Sequence, residues 1–122
     1  MILGIGIDIV EIARIRKSCD VYGDKFLGRV FTIQELQYAR SKANPYPSLA
    51  VRFAAKEALV KATKEGKFNT FSWQDAEIFT DDLGIPTFHF RNELEKILKI
   101  RKIHVSLSHS ENYATAMVVI EE

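Results

Sequence analysis

Residues 48–64 constrain the fold more than any other part of this chain. The stretch is alanine-rich, and alanine loses the least side-chain freedom on entering a helix. Leu49, Phe53, Leu59 and Val60 are its core candidates, and Gly66 supplies the expected stop. Alanines at 54, 55, 58 and 62 keep the helix slim, which allows something else to approach it closely.

The flanking segments supply the rest of the pattern. Residues 2–7 read as an apolar strand whose Gly4 and Gly6 permit close backbone approach. Asp8-Ile9-Val10-Glu11 then reads as a helix start, with Asp8 as the cap and Glu11 reaching back. That helix is expected to run to about Val21 and to break at Tyr22-Gly23-Asp24. Residues 26–30 make a short helical turn. Thr32-Ile33-Gln34-Glu35 is a second capping box, opening a helix to about Lys42, and residues 44–47 form a loop. Beyond the long helix, strands are expected at 75–80 and 86–90 around the turn Asp81-Asp82-Leu83-Gly84. A helix at 92–100 follows, then strands at 104–109 and 113–120 joined as an antiparallel hairpin through Ser110-Glu111-Asn112. The order β-α-α-α-β-β-α-β-β predicts an α+β fold, with an antiparallel sheet packed against helices in a single domain over residues 1–122.

Composition narrows the function classes. A chain of 122 residues buries only a modest core, so oligomerisation is a plausible cover for leftover apolar surface. A net charge of +1 argues against duplex nucleic acid as a partner, because backbone binding needs a pronounced basic field. Between 52 and 67, however, Arg52, Lys56, Lys61, Lys64 and Lys67 face only Glu57 and Glu65, a local excess suited to phosphates. The one cysteine, Cys19, excludes an internal disulfide and a metal site built from thiolates alone, and it reads as an ordinary helix position. The first residues lack a basic leader, and no apolar run reaches membrane-spanning length, so a cytoplasmic protein with no membrane partner is expected.

Three constellations carry possible chemistry. Asp8 stands where strand gives way to helix, as a cap or as a hard oxygen ligand suited to magnesium. Glu57 and Lys61 are four apart and share a helix face, as a solvated pair or as a second carboxylate beside a phosphate-directed cation. In residues 104–109, His104, Ser106 and Ser108 share one strand face while Val105 and Leu107 share the other. That face is either the polar side of a half-buried strand or a row of donors for phosphate. No Gly-x-Ser-x-Gly elbow, Walker-type loop or Gly-x-Gly-x-x-Gly is present, and Gly4-Ile5-Gly6 lies inside a strand. On the first helix, Val10, Arg14, Lys17 and Val21 form a basic face with apolar neighbours.

Residues 4–11 (Gly-Ile-Gly-Ile-Asp-Ile-Val-Glu), Arg14-Ile15, residues 52–58 (Arg-Phe-Ala-Ala-Lys-Glu-Ala) with Lys61, and residues 104–109 (His-Val-Ser-Leu-Ser-His) together resemble holo-acyl-carrier-protein synthase, the small trimeric type of phosphopantetheinyl transferase. The resemblance covers nearly the whole chain and the order of its motifs. It implies an enzyme of fatty acid biosynthesis that moves 4′-phosphopantetheine from coenzyme A to a serine of apo acyl carrier protein, releasing 3′,5′-ADP. It implies that Asp8 and Glu57 ligate Mg2+ together with the pyrophosphate, and that Lys61 meets a phosphate. Arg52 and His104 match positions near the nucleotide. A homotrimer with active sites between subunits is also implied, and Arg14, with Lys17 on the same basic face, meets an acidic helix of the carrier protein. Two turns depart from the family pattern: Gly84-Ile85-Pro86 has isoleucine where a basic residue is usual, and Lys64-Glu65-Gly66-Lys67-Phe68 replaces a glycine-rich turn. Both bear on contacts to adenine and the 3′-phosphate.

The implied nucleophile belongs to the carrier protein, which accounts for the lack of an activated serine here. Glu57 and Lys61 are the expected catalytic pair, Lys61 offsetting charge on the leaving phosphate and Glu57, or a water acting through it, accepting the serine proton. The alternative is a non-enzymatic α+β binding module in which Asp8 only caps a helix and Glu57–Lys61 is a surface pair.

Overall fold

The computed structural model describes residues 1–63 and 72–122. Ten elements follow in order: β1 (Ile2–Glu11), α1 (Ile12–Tyr22), α2 (Asp24–Val30), α3 (Ile33–Arg40), α4 (Tyr46–Thr63), β2 (Ala76–Thr80), β3 (Pro86–Phe90), α5 (Asn92–Leu98), β4 (Lys102–His109) and β5 (Tyr113–Glu121). A short 3-10 turn, Trp73–Asp75, precedes β2. The strands form a three-stranded antiparallel sheet ordered β1-β5-β4 and a separate β2-β3 hairpin. The α+β expectation and the β4-β5 hairpin therefore hold, with the antiparallel strands divided between two sheets.

Helix α4 lies across β1 and β5, and the reason is steric. Even-numbered residues of β1 face it, and two of them are glycine. A Cβ on Gly4 would sit 1.8 Å from the Ala62 carbonyl oxygen, and one on Gly6 would sit 1.9 Å from that of Ala58. Ala54, Ala55, Ala58 and Ala62 are all buried on the helix side. Helix and strand thus meet backbone to backbone, and Leu49, Leu59, Val118 and Ile120 fill the core around that contact. Val60, expected in the core, is instead 40% exposed.

One boundary expectation fails with consequences for function. Asp8 does not cap a helix. Strand β1 continues through Glu11, pairing Asp8 with Ala116 and Glu11 with Tyr113 on β5, and α1 begins at Ile12 with no side-chain cap. The β-branched Ile7, Ile9 and Val10 favour an extended chain, and pairing with β5 outweighs the local capping pattern. Val10 is consequently a buried strand residue, and the basic face of α1 starts at Arg14.

The second capping box is present: Glu35 N donates to Thr32 Oγ1, and Thr32 N donates to Glu35 Oε1. Helix α4 starts at Tyr46 rather than Ser48, with Pro47 in its first turn, where a missing N–H costs nothing. The expected helix stop at Gly66 and the basic Lys64 and Lys67 lie outside the described residues.

The glycine contact predicts a sharp contrast. Gly6→Ala should cost about 3 kcal/mol or more, because backbone must move to admit the methyl. The melting temperature should fall by roughly ten degrees or more. Gly28→Ala, inside α2 with open space around its Cβ, should be neutral or slightly stabilising. Thermal unfolding of the two variants checks both.

Candidate active site

The even-numbered row of β1 runs Gly4, Gly6, Asp8, Val10, so Asp8 faces α4 just beyond the glycines. The close approach brings α4 within reach: Lys61 Nζ donates to Asp8 Oδ1 at 2.9 Å and to the Ile7 carbonyl at 3.0 Å. Glu57, one helical turn earlier on α4, lines the same cavity as Asp8. This cavity, about 270 Å³, has Arg14 and Ser18 of α1 among its walls and Ile15, Phe26 and Phe53 on its apolar side.

Electrostatics ties the two carboxylates together. Burial pushes the Glu57 carboxyl above its ordinary value, the negative charge of Asp8 adds to this, and Lys61 opposes it. A carboxylate so placed is a better proton acceptor than one in open water. Two hard oxygen donors on one cavity, beside an ammonium, suit a magnesium ion that takes its remaining ligands from phosphate and water. No group of three or more acidic, histidine or cysteine side chains gathers among the described residues, so a metal held by Asp8 and Glu57 needs oxygens from its ligand.

The other expected site residues lie elsewhere. Lys17 is exposed on α1 and outside the cavity lining, one turn from Arg14. Arg52 is 2% exposed. Its guanidinium donates to Thr80 Oγ1 at 2.7 Å and to the Ser48 carbonyl at 3.2 Å, and stacks over Tyr38 at 4.4 Å. Its Nε is buried with no hydrogen-bond partner among the described residues. It lines a separate cavity of about 240 Å³ with Tyr38, Thr80, Pro86, Ser108 and His109. His104 stands on the face of the sheet opposite Asp8: Ile103, Val105 and Leu107 point inward, as the period of two required, and His104 points outward to Glu121 at 2.8 Å. The fold of the single chain therefore brings Asp8, Glu57, Lys61 and Arg14 together and leaves Arg52 and His104 apart from them.

Lys56 corrects the reading of a basic, phosphate-facing stretch. It is fully buried and pairs with Glu35 at 2.7 Å, donating also to the carbonyls of Val30 and Trp73. Glu35 in turn accepts from the Ile78 amide. Burial lowers the Lys56 pKa, and Glu35 opposes that. The aromatic wall at Phe26 and Phe53, with Trp73 stacked on Phe53 at 5.2 Å, was also missed; these residues are far apart in sequence, and only Phe53 had a helical pattern to mark it.

Residues 4–118 match the family model of the 4′-phosphopantetheinyl transferase superfamily. A holo-[acyl-carrier-protein] synthase of Koribacter versatilis is 45% identical over 125 aligned positions, covering all of both chains. The crystal structure of the Neisseria meningitidis holo-[acyl-carrier-protein] synthase superposes with a TM-score of 0.90 at 38% identity, again over all of both chains. That of the Bacillus anthracis synthase, in complex with CoA (3′,5′-ADP), gives 0.83 at 39% identity, covering 100% of this chain and 98% of the other. A full-length match in sequence, fold and element order places this chain in the holo-[acyl-carrier-protein] synthase family of 4′-phosphopantetheinyl transferases.

Proposed function

We propose that this chain, as one domain over residues 1–122, transfers 4′-phosphopantetheine from coenzyme A to a serine hydroxyl of apo acyl carrier protein and releases 3′,5′-ADP. The observation that carries the reading is the meeting of Asp8 and Glu57 at one cavity, with Lys61 bonded to Asp8, in a family whose Bacillus anthracis member was solved in complex with CoA (3′,5′-ADP). Fatty acid biosynthesis in the cytoplasm is the setting that the family supports; no described helix is long and apolar enough to cross a membrane.

Transfer of this kind depends on placing two oxygens in line with phosphorus and on neutralising charge. Asp8 and Glu57 are the residues that would hold Mg2+, whose chemistry when bound is to neutralise pyrophosphate charge. Lys61 supplies a cation at the same oxygens and compensates charge that grows on the leaving phosphate. Glu57 accepts the serine proton, directly or through a water, aided by the environment that raises its pKa. The apolar wall of Ile15, Phe26 and Phe53 excludes water from one side of the cavity. Arg14 on its rim and the exposed Lys17 offer a basic surface to an acidic carrier helix.

The assembly that fits is a homotrimer with active sites between subunits. Its support is the open face of the sheet, where Ile5, Ile7, Ile9 and Met117 are 43–66% exposed, more contiguous apolar surface than an isolated chain keeps in water. A neighbour on that face would also bring His104 of one copy toward the carboxylates of another.

Intact mass spectrometry of apo acyl carrier protein, incubated with the protein, coenzyme A and magnesium, should show the gain of one phosphopantetheine, abolished by EDTA. Asp8→Ala and Glu57→Ala should each lower transfer about a hundredfold or more with the fold retained; near-normal rates at saturating magnesium would sink the metal assignment. Lys61→Met should lower kcat about ten- to a hundredfold while leaving KM for coenzyme A within about threefold. An unchanged kcat would return Lys61 to a surface pair. Arg14→Glu should raise KM for the carrier protein about tenfold and leave that for coenzyme A alone, an effect that steady-state kinetics at varied salt separates from a general loss of activity.

A further inference from the structure

Two oxygens of β1 hold the Lys61 ammonium. It donates to Asp8 Oδ1 at 2.9 Å and to the Ile7 carbonyl at 3.0 Å. Two of its three N–H donors are used there, which leaves the third for another acceptor. The partners differ in freedom. Asp8 is fixed by the pairing of β1 with β5, and its side chain is 16% exposed. That of Lys61 is 53% exposed and stands in the last turn of α4. A flexible lysine stem can carry its charge to a new partner without moving the backbone.

The contact sets a charge balance. Asp8 and Glu57 line one cavity, and the Glu57 carboxyl registers both neighbours: burial raises its pKa most, Asp8 raises it further and Lys61 lowers it. Lys61 is therefore the counter-ion of both carboxylates. A divalent cation that takes oxygens from Asp8 and Glu57 competes with this ammonium for Asp8 Oδ1, and the two like charges repel at hydrogen-bonding range. A phosphate acts the other way. Its charged oxygens accept from the ammonium, and once Lys61 has turned to them Asp8 is open to the cation.

We propose that Lys61 is an internal counter-ion that competes with a divalent cation for Asp8 until a phosphate of coenzyme A takes up the ammonium, so that Lys61 couples the binding of the two. This rests on the transfer function and the Asp8–Glu57 metal assignment proposed above. The coupling has two parts. Phosphate oxygens that ligate the cation directly supply the first, which does not depend on Lys61. The Lys61–Asp8 pair supplies the second: the cation alone must displace the ammonium, whereas with coenzyme A bound the ammonium has already left. A partly exposed pair with one further hydrogen bond makes this second part about three- to fivefold in affinity.

The test is Mn2+ binding to the full-length protein with and without coenzyme A, read from the electron paramagnetic resonance of the free ion after the Mn2+ held by free coenzyme A is subtracted. Mn2+ accepts the same carboxylate and phosphate oxygens as Mg2+. In the unaltered protein coenzyme A should tighten Mn2+ binding about tenfold or more. Lys61→Met should tighten it about three- to fivefold without coenzyme A and change it by less than about twofold with coenzyme A. The gain that coenzyme A brings then shrinks by the same factor. Lys61→Ala should repeat both results, with melting temperatures confirming that each variant is folded. Unchanged or weaker Mn2+ binding by both variants without coenzyme A would overturn the proposal. So would an equal tightening with and without coenzyme A, the mark of a general field rather than a displaced pair. Unaltered protein that binds no Mn2+ even with coenzyme A would overturn the metal assignment, and this proposal with it.

Discussion

Backbone contact between β1 and α4 decides where the rest of the molecule sits. Gly4 and Gly6 have no side chain to hold the helix off, and Ala58 and Ala62 present almost none in return. The next residue in the glycine row is Asp8, so a carboxylate emerges where the helix is closest. At that separation a lysine on α4 spans the gap to both Asp8 and the Ile7 carbonyl. A larger residue at position 6 would therefore do more than destabilise the core. It would also separate the two elements whose side chains, Asp8 on one and Glu57 and Lys61 on the other, meet around the cavity.

The rotation of α4 about its axis is settled by a second anchor. Lys56 leaves the helix away from β1 and ends in a dry pocket where it meets Glu35, Val30 O and Trp73 O. Glu35 is held by the Thr32 and Ile78 amides, while Glu77 takes the Thr32 hydroxyl and Arg91. A buried ion pair of this sort contributes little net stability against an apolar substitute, yet leaving one partner unpaired is expensive, about 3–5 kcal/mol. It therefore selects one arrangement of α3, α4 and β2 over its near neighbours. Trp73, fixed by the same ammonium, stacks on Phe53, which walls the Asp8–Glu57 cavity. With glycines on one flank and Lys56 on the other, the direction of Glu57 follows.

Most of this architecture was legible in the sequence, and the failures share a cause. Alternation in residues 104–109 and the Thr32–Glu35 capping box are local signals, and the structure keeps both. The helix start at Asp8 was an equally good local signal, and it lost to pairing with β5, a partner more than a hundred residues away. The spacing of Glu57 and Lys61 put them on one helix face, but nothing within α4 says which lysine turns inward. Lys56 and Lys61 look alike in sequence; one is wholly buried and the other half-exposed because Glu35 approaches from a different element. Arg52 is a similar case, a cation whose surroundings of Tyr38 and Thr80 come from α3 and β2.

The two faces of the large sheet impose a final constraint on the chemistry. The inner face carries Asp8 and, through α4, Glu57 and Lys61; the outer face carries His104 and the β4 donor row. No rearrangement of side chains within one chain can bring these sets together, since a residue cannot cross to the other face without a shift of register that would turn Gly4 and Gly6 outward and drive isoleucines into α4. If a ligand as long as coenzyme A is to use both sets, the outer face of one copy must lie beside the inner site of another. The exposed isoleucines of β1 are the apolar surface that such an association would bury. The alternation that places glycines and Asp8 against the helix is the same alternation that places Ile5, Ile7 and Ile9 on the exposed face.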